Sequence, residues 1–325
     1  MPVYTFRIQR NWTTEQGTME SHDRDYTLEV SETTTVLLAL EEIKSRQDGT
    51  LTFRQSCRSA ICGSCAMKIS GRTRLACKTH VGEVAKEGVV SLAPMANQPI
   101  LKDLVVDIAP FYRKVHQVRP YLEDGPEQAH TLDKSAYDQV NQVTQCIMCG
   151  CCYSDCTMLE VNDDFAGPAA LAKAFRVVSD PREGQKTRRL WELSEPNMMW
   201  SCTRCAMCVE SCPKDVKPME AIVKLRTRGI AKGFVDGPGA KHALAFHDDI
   251  QRWGDLNEFT LLQRTVGILG SIGELGTAWH LLKRGKIPSP FPHKAQGVEE
   301  LRKIYQLLEE HPIDVETKAK EIVPE

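Results

Sequence analysis

Apolar and polar residues alternate along the first part of the chain, which predicts β-strands. Residues 3–10 (VYTFRIQR) and 26–30 (YTLEV) both place their apolar side chains on one face. Residues 34–45 then change to helical spacing, and further short strands are predicted on both sides of Ser70 and at 88–93. Strands packed on a single helix indicate a small α+β domain at the N-terminus.

Helical periodicity dominates the remainder of the chain. The pattern predicts helices over 100–115, 168–180, 242–284 and 297–310, with a Gly/Pro break at 235–241 and a PSPFPHK loop before the last helix. The chain as a whole is therefore predicted to be α+β, with its strands first and its helices afterwards.

The change of period divides the chain into four parts. We predict a sheet domain at 1–98, a connector at 99–130, a helical domain at 131–235 and a helical C-terminal extension at 236–325. Prolines mark the exit from the first part, and the Gly/Pro break marks the end of the third.

The composition is that of a folded protein without the charge expected of a nucleic-acid partner. Of the 325 residues, 42% are hydrophobic, and the net charge is −2 with no long run of one sign. We see no secretory signal and no apolar run of about 18 residues that could span a membrane alone. We therefore expect the chain to stay in the reducing compartment where it is made. Glycines and charges interrupt the apolar stretch 261–286, which favours helices packed on a partner or a core over a membrane-surface helix.

The 13 cysteines provide the strongest chemical signal. They fall in three groups, between 57 and 77, between 146 and 156, and between 202 and 212. In a reducing compartment, grouped cysteines favour metal binding, whereas the cysteines of a disulfide framework are normally spread more evenly. We therefore predict metal centres.

The first group has the spacing of a plant-type [2Fe–2S] loop. Four, two and eleven residues separate its members, Cys57, Cys62, Cys65 and Cys77. Gly63 and the small residues around it allow tight wrapping, so that backbone amides reach the cluster sulfurs. Zinc is the alternative metal, although it normally uses paired Cys-x2-Cys knuckles.

The second and third groups repeat one pattern 56 residues apart. Each reads C-x2-C-x2-C-x3-C, the bacterial ferredoxin spacing in which the fourth cysteine ligates the neighbouring cluster. This reciprocal rule assigns one [4Fe–4S] cluster to Cys146, Cys149, Cys152 and Cys212. It assigns the other, distal cluster to Cys156, Cys202, Cys205 and Cys208. Two four-cysteine zinc sites are the alternative.

The remaining cysteine, Cys151, falls outside both sets. Its predicted role is that of a small buried thiol, because free cysteines behave as small apolar residues. The alternative is that it replaces Cys152 as a ligand, which would break the spacing.

No substrate-binding motif accompanies the cysteines. The sequence has no GxGxxG, P-loop, GxSxG or HExxH pattern, and its nine histidines are scattered. We therefore predict that this chain carries single electrons and that the substrate chemistry takes place in a partner protein.

The order of these motifs resembles that of the iron–sulfur subunit of succinate dehydrogenases and fumarate reductases. The similarity covers residues 3–235 and includes the CRSAICGSC loop, the DLVVD…FY…PYL connector, both later cysteine runs and the GPAALAKAFRVVSDPR helix. The resemblance implies a β-grasp [2Fe–2S] ferredoxin domain followed by an α-helical two-cluster ferredoxin domain. It also implies a flavoprotein partner with FAD, which oxidises succinate or reduces fumarate, and a quinone beside a membrane-anchor subunit.

Three features depart from the common pattern of that family. The distal motif usually has three cysteines and a [3Fe–4S] cluster, whereas Cys205 here predicts a second [4Fe–4S] cluster. Thr157, Val161 and Thr203 stand where Pro, Trp and His are usual near the quinone. The extended tail resembles those of heterodisulfide-reductase-type subunits. Together these departures imply a complex whose anchor resembles a cysteine-rich heterodisulfide reductase subunit.

The resulting expectation is an electron-transfer subunit of a succinate:quinone oxidoreductase. Its order of centres would be FAD, [2Fe–2S], [4Fe–4S], distal cluster and quinone. The alternatives are the same order reversed in a fumarate reductase, an iron–sulfur subunit of a heterodisulfide- or thiol-linked reductase, and a distal [3Fe–4S] cluster without Cys205. The expected location is the cytoplasmic side of the cell membrane, as a peripheral subunit held by its partners.

Overall fold

The computed structural model describes residues 1–123, 125, 132–273, 275–286, 289 and 291–310. The chain divides into two compact units, Met1–Arg228 and Gly229–Glu325. This division does not test the domain boundaries predicted from the sequence, which stay predictions.

The first unit begins with a five-stranded sheet and one main helix, α1 (Val36–Arg46). The strands, in chain order, are β1 (Val3–Thr13), β2 (Met19–Glu29), β3 (Ala66–Ile69), β4 (Arg72–Leu75) and β5 (Val89–Ala93). Their spatial order is β2-β1-β5-β3-β4, in which β1 pairs antiparallel with β2 and parallel with β5. This arrangement confirms the predicted α+β domain.

The apolar face seen in the sequence becomes the core between sheet and helix. Phe6 and Ile8 of β1 are fully buried, and so are Leu40 and Ile43 of α1. The helix begins at Thr35, whose hydroxyl accepts the backbone N–H of Leu38 and caps its first turn.

The helix predicted over 100–115 is wrong in its first half. Residues 100–106 form a short hairpin of β6 (Ile100–Lys102) and β7 (Val105–Val106). The helix α3 (Ala109–Gln117) starts only after it, with Pro110 in its first turn.

Asp103 explains why this segment is a hairpin. Its carboxylate is 2% exposed and accepts a hydrogen bond from Arg10 Nε at 2.9 Å and from the Thr52 N–H at 2.8 Å. These partners lie far away in the sequence, so the local spacing of apolar residues could not reveal them. A helix at this position would bury the same carboxylate without its partners, which is costly.

The rest of the first unit is helical and centres on α7 (Pro168–Val178). That helix lies within the predicted 168–180 segment, is almost entirely buried, and contacts α3, α4, α5 and α8. The other elements are α2 (Val81–Val84), α4 (Lys134–Thr144), α5 (Cys151–Ser154), α6 (Thr157–Val161), α8 (Lys186–Leu193), a 3₁₀ turn (Met199–Ser201), α9 (Met207–Glu210) and α10 (Pro218–Ala231).

The second unit contains the predicted C-terminal helices. They are α11 (Pro238–Trp253), α12 (Glu258–Gly273), α13 (Leu275–Lys283) and α14 (Val298–Glu310). Helix α12 packs against α11, where Arg264 forms ion pairs with Asp248 and Asp249, while the apolar side chains Leu262, Val266 and Trp279 are exposed. The PSPFPHK loop lies partly outside the described residues. Within the described residues, no helix is both long enough and apolar enough to cross a bilayer.

Candidate cluster-binding sites

The first cysteine group forms a loop whose backbone amides point at its sulfurs. Cys57 Sγ accepts three amide hydrogen bonds at 3.3 to 3.4 Å, from Ser59, Ile61 and Cys62. The amide of Ala60 donates to Cys77 Sγ at 3.3 Å, which ties the loop to the segment just after β4. Such donors stabilise thiolate charge and the anionic sulfurs of a cluster.

Two cysteines of this loop differ in their acidity. The Ser64 hydroxyl and nearby amides lower the pKa of the exposed Cys62 thiol to about 6. Burial raises the pKa of Cys65 to about 12. A buried thiol of this kind becomes a thiolate only when a cation compensates its charge, as iron would.

The two later cysteine runs repeat each other in backbone conformation as well as in sequence. Met148 and Arg204 occupy equivalent positions and both have a left-handed φ, and the same holds for Gly150 and Ala206. Each run then continues into a single helical turn, α5 or α9. The sequence revealed only the repeated cysteines, because Gly150 and Ala206 gave no common backbone signal.

The first of two cavities that contain a predicted cluster set lies beside α3 and α7. Apolar residues of α3 and α7 form much of its wall, among them Phe111, Ala169 and Ala172. Its cysteines are Cys146, Cys149, Cys152 and Cys212. The structure therefore brings together the four residues that the reciprocal rule assigns to one cluster, and ligation itself stays a prediction.

The second cavity contains the other set. Its wall includes Phe165, Pro168 and Ile222. Its cysteines are Cys156, Cys202, Cys205 and Cys208. Burial raises the pKa of Cys208 to about 12, so this cavity also favours a cationic occupant that converts thiols to thiolates.

Cys205 differs from the other cysteines of the distal set because it is exposed. Burial is the largest single influence on its pKa and raises it, but hydrogen bonds from Thr157, Met207 and Thr203 together outweigh burial, so the pKa of Cys205 is lowered. The Thr157 hydroxyl donates to Cys205 Sγ at 3.5 Å. The sequence marked Thr157 only as a missing proline, whereas the structure makes it a partner of the fourth distal cysteine.

Arg226 of α10 is a further residue that the sequence analysis missed. Its guanidinium donates to the backbone carbonyls of Met199, Trp200 and Cys202. These bonds hold the backbone that leads into the third cysteine group. Burial lowers the pKa of Arg226, although the negative charge of Cys202 opposes that change.

Cys151 lies outside both cavities, in the core of the sheet domain. It is completely buried, which confirms the predicted small buried thiol. The pKa of Cys151 is raised, mainly by a hydrogen bond with Cys149 and secondly by burial. The same contact lowers the pKa of Cys149 to about 7.

The first cysteine loop meets the second at Gly63. A Cβ atom added to Gly63 would lie 2.6 Å from Cys149 Cβ and 2.7 Å from Cys149 Cα. The sequence suggested that Gly63 serves tight wrapping within its own loop. The structure adds that a residue without a side chain is needed for the two loops to touch.

Two domain families match the parts of the chain described above. Residues 5–113 match a family described as a 2Fe-2S iron-sulfur cluster binding domain. Residues 142–216 match a family described as a 4Fe-4S dicluster domain. The first match contains the four-cysteine loop, and the second contains both later runs.

Curated relatives extend the similarity over most of the chain. The 8-methylmenaquinol:fumarate reductase iron-sulfur subunit of Wolinella succinogenes is 32% identical, over 88% of this chain and 93% of its own length. The mitochondrial succinate dehydrogenase [ubiquinone] iron-sulfur subunit of Candida glabrata is 33% identical, over 68% of this chain and 89% of its own length. The fumarate reductase iron-sulfur subunit of Haemophilus influenzae is 37% identical, over 62% of this chain and 84% of its own length.

A solved structure shares the fold. It is a chain of the Mycobacterium smegmatis Sdh1 complex in the apo form, with a TM-score of 0.64 and 23% sequence identity. The alignment covers 71% of this chain and 97% of that chain.

Proposed function

This chain belongs to the family of iron–sulfur subunits of succinate dehydrogenases and fumarate reductases, and from that premise we propose that it binds three clusters. The observation that carries the proposal is the pair of cavities, each lined by three cysteines of one run and one cysteine of the other. We assign a [2Fe–2S] cluster to Cys57, Cys62, Cys65 and Cys77. We assign a [4Fe–4S] cluster to Cys146, Cys149, Cys152 and Cys212. We assign a distal [4Fe–4S] cluster to Cys156, Cys202, Cys205 and Cys208.

The residues around the cysteines are suited to adjust the reduction potentials of such clusters. When bound, the clusters supply one-electron oxidation and reduction. The amides on Cys57 and Cys77 stabilise negative charge, as does the Thr157 hydroxyl at Cys205. The apolar walls of both cavities lower the local dielectric, which strengthens these interactions.

The partners and the direction of electron flow are proposals from the relatives. A flavoprotein with FAD would reduce the [2Fe–2S] centre, and a quinone beside a membrane anchor would accept electrons from the distal centre. The Candida glabrata name indicates succinate as donor and the Wolinella succinogenes name indicates fumarate as acceptor, so fumarate reduction is the alternative direction.

The C-terminal extension favours a non-classical complex. A match over 88% of the chain must continue beyond residue 235, so the Wolinella succinogenes subunit shares part of the extension. We propose that the anchor is a cysteine-rich protein resembling a heterodisulfide reductase subunit, and that the chain is a peripheral subunit on the cytoplasmic side of the membrane.

The Cys57→Ala variant tests the proposal that electrons enter this chain at the [2Fe–2S] centre. It removes the thiolate that three loop amides stabilise, so we expect the [2Fe–2S] signal in electron paramagnetic resonance (EPR) to disappear. Succinate should still reduce the flavin of the partner, whereas quinone reduction should fall to background. Ser59→Ala is the matched control, since it keeps the backbone amide that donates to Cys57. A full [2Fe–2S] signal in the Cys57→Ala protein would contradict the assignment.

The Thr157→Val variant tests whether the hydroxyl at Cys205 tunes the distal centre. A hydrogen bond to a cluster sulfur stabilises the reduced, more negative state, so its loss should lower the distal reduction potential. We expect a decrease of up to about 60 mV, the one-electron equivalent of a tenfold change in equilibrium. Thr144→Val, which removes an exposed hydroxyl bonded within α4, should leave the potential unchanged. A redox titration followed by EPR gives both values, and an unchanged or higher distal potential in Thr157→Val would contradict this role.

A further inference from the structure

A buried carboxylate lies where three cysteine-bearing segments of the first unit meet. Asp155 directly precedes Cys156 and is 7% exposed. Around it are Ser211, which directly precedes Cys212, and Thr73 of β4, which lies shortly before Cys77. The sequence analysis did not identify any of these three polar residues.

Asp155 accepts every hydrogen bond that its carboxylate makes among the described residues. The backbone N–H of Thr73 donates to Oδ2 at 2.9 Å, and the Thr73 hydroxyl donates to Oδ1. The Ser211 hydroxyl donates to Oδ2. One carboxylate therefore binds both Thr73, in the strand that precedes Cys77, and Ser211, which directly precedes Cys212.

The direction of the remaining hydrogen bonds follows from counting donors. The Thr73 hydroxyl uses its hydrogen on Asp155, and it also lies 2.7 Å from the Ser154 hydroxyl. Ser154 must therefore donate to Thr73, and it accepts in turn from the Ala96 N–H at 2.9 Å. The chain of hydrogen bonds ends on the Asp155 carboxylate, which accepts from Thr73 and Ser211.

Asn97 of the sheet domain makes further hydrogen bonds to the segment that contains Asp155. Its side-chain amide Nδ2 donates to the backbone carbonyls of Tyr153, Ser154 and Cys156 at 3.0 to 3.2 Å. Asn97 itself has a left-handed φ of 59°, which places this amide against the end of the second cysteine run. Sheet domain and helical domain are thus joined by directed hydrogen bonds around Asp155.

We propose that Asp155 is a positioning residue that fixes the three cysteine segments relative to one another, and that its charge lowers the reduction potentials of both cubane clusters. The proposal rests on the cluster assignment made above. A reduced cluster carries more negative charge than an oxidised one, so a buried anion disfavours reduction. Among the described residues Asp155 has hydroxyl and amide partners and forms no ion pair within 4 Å.

The Asp155→Asn variant removes the charge of this side chain and keeps its size and planar shape. Its carbonyl can accept from the Thr73 N–H and from Ser211, and its NH₂ can donate to the Thr73 hydroxyl once that hydroxyl reverses. In the purified full-length chain we expect all three clusters to remain. We expect both cubane potentials to rise by a shift corresponding to about a tenfold change in equilibrium, or about 59 mV. The [2Fe–2S] potential should change less.

Asp155→Ala removes both the charge and the hydrogen bonds. We expect lower iron and sulfide content and a lower midpoint in urea-induced unfolding than in Asp155→Asn. Asp180→Asn is the matched control, because Asp180 is also buried in the helical region but accepts from Arg182. Its cubane potentials should equal those of the wild type.

The outcomes distinguish this inference from the function on which it rests. Unchanged cubane potentials in a fully loaded Asp155→Asn protein would overturn the electrostatic role. Full cluster content and an unchanged urea midpoint in Asp155→Ala would overturn the positioning role. A wild-type chain that cannot hold the clusters would instead refute the proposed function.

Discussion

Replacing Gly63 with alanine is expected to separate the first cysteine loop from the second. The new Cβ would lie 2.6 Å from Cys149 Cβ and 2.7 Å from Cys149 Cα, closer than non-bonded carbon atoms can approach. The obstacle is the backbone of a cluster loop, which cannot move aside as a flexible side chain would. Overpacking of this kind costs about 1–3 kcal/mol. The left-handed φ of 75° adds about 1–2 kcal/mol for any L-residue.

The consequence should appear in electron transfer between the two loops. Since about 1.4 kcal/mol is a factor of ten, we expect the docked arrangement to be disfavoured by tenfold or more. In a complex with the proposed flavoprotein partner, succinate should then reduce the [2Fe–2S] centre while reduction of the [4Fe–4S] centre is delayed. Rapid-freeze EPR measures the two signals separately, and urea-induced unfolding measures the loss of stability.

Gly71→Ala is the matched control for this prediction. Gly71 has a φ of 89° in the β3–β4 turn, but an added Cβ there meets no atom within 4 Å. The variant therefore carries the backbone penalty without the collision. If the two alanine variants behaved alike, the contact between Gly63 and Cys149 would have no role in electron transfer.

The parts of the fold that the sequence predicted are those with a local period. The alternation in β1 and the helical spacing in α1 and α7 reflect burial of one face, and both periods can be read within a few residues. The hairpin at 100–106 was missed because Asp103 obtains its partners from Arg10 and Thr52. No local pattern contains that information.

The same distinction applies to the cluster sites. The spacing of the cysteines predicted which of them would meet, and the two cavities contain those sets. Gly63, Asp155 and Thr157 were missed in their structural roles, because each acts on a residue from another segment. Their roles depend on how the sheet domain and the two runs pack, and the packing is visible only in three dimensions.

Replacing Cys205 with serine is expected to change the distal cluster while leaving the other two intact. Soft thiolate ligands suit iron–sulfur clusters, whereas a serine hydroxyl is a harder and far less acidic ligand. Cys205 is the exposed member of the distal set, and Cys156 and Cys208 are buried. The iron held by Cys205 would therefore be the one nearest to solvent, so we expect its loss and not the collapse of the whole cluster.

The measurement is low-temperature EPR of the anaerobically purified protein in the oxidised state. An oxidised [4Fe–4S] cluster has no unpaired electron and is silent, so the wild type should show no distal signal before reduction. Cys205→Ser should show the signal of an oxidised [3Fe–4S] cluster. Cys151→Ala is the control, since it removes a cysteine that touches Cys149 but lines neither cavity.

A distal signal in the oxidised wild type, unchanged in Cys205→Ser, would show that Cys205 is not a ligand. The distal set would then reduce to Cys156, Cys202 and Cys208, as in the common three-cysteine motif of the family. Thr157 would lose its proposed influence on the cluster at the same time, because its hydroxyl acts through Cys205 Sγ. The Cys205→Ser and Thr157→Val experiments therefore test the same ligand assignment independently. If both give the expected result, the fourth thiolate lies at the exposed corner of the distal cluster.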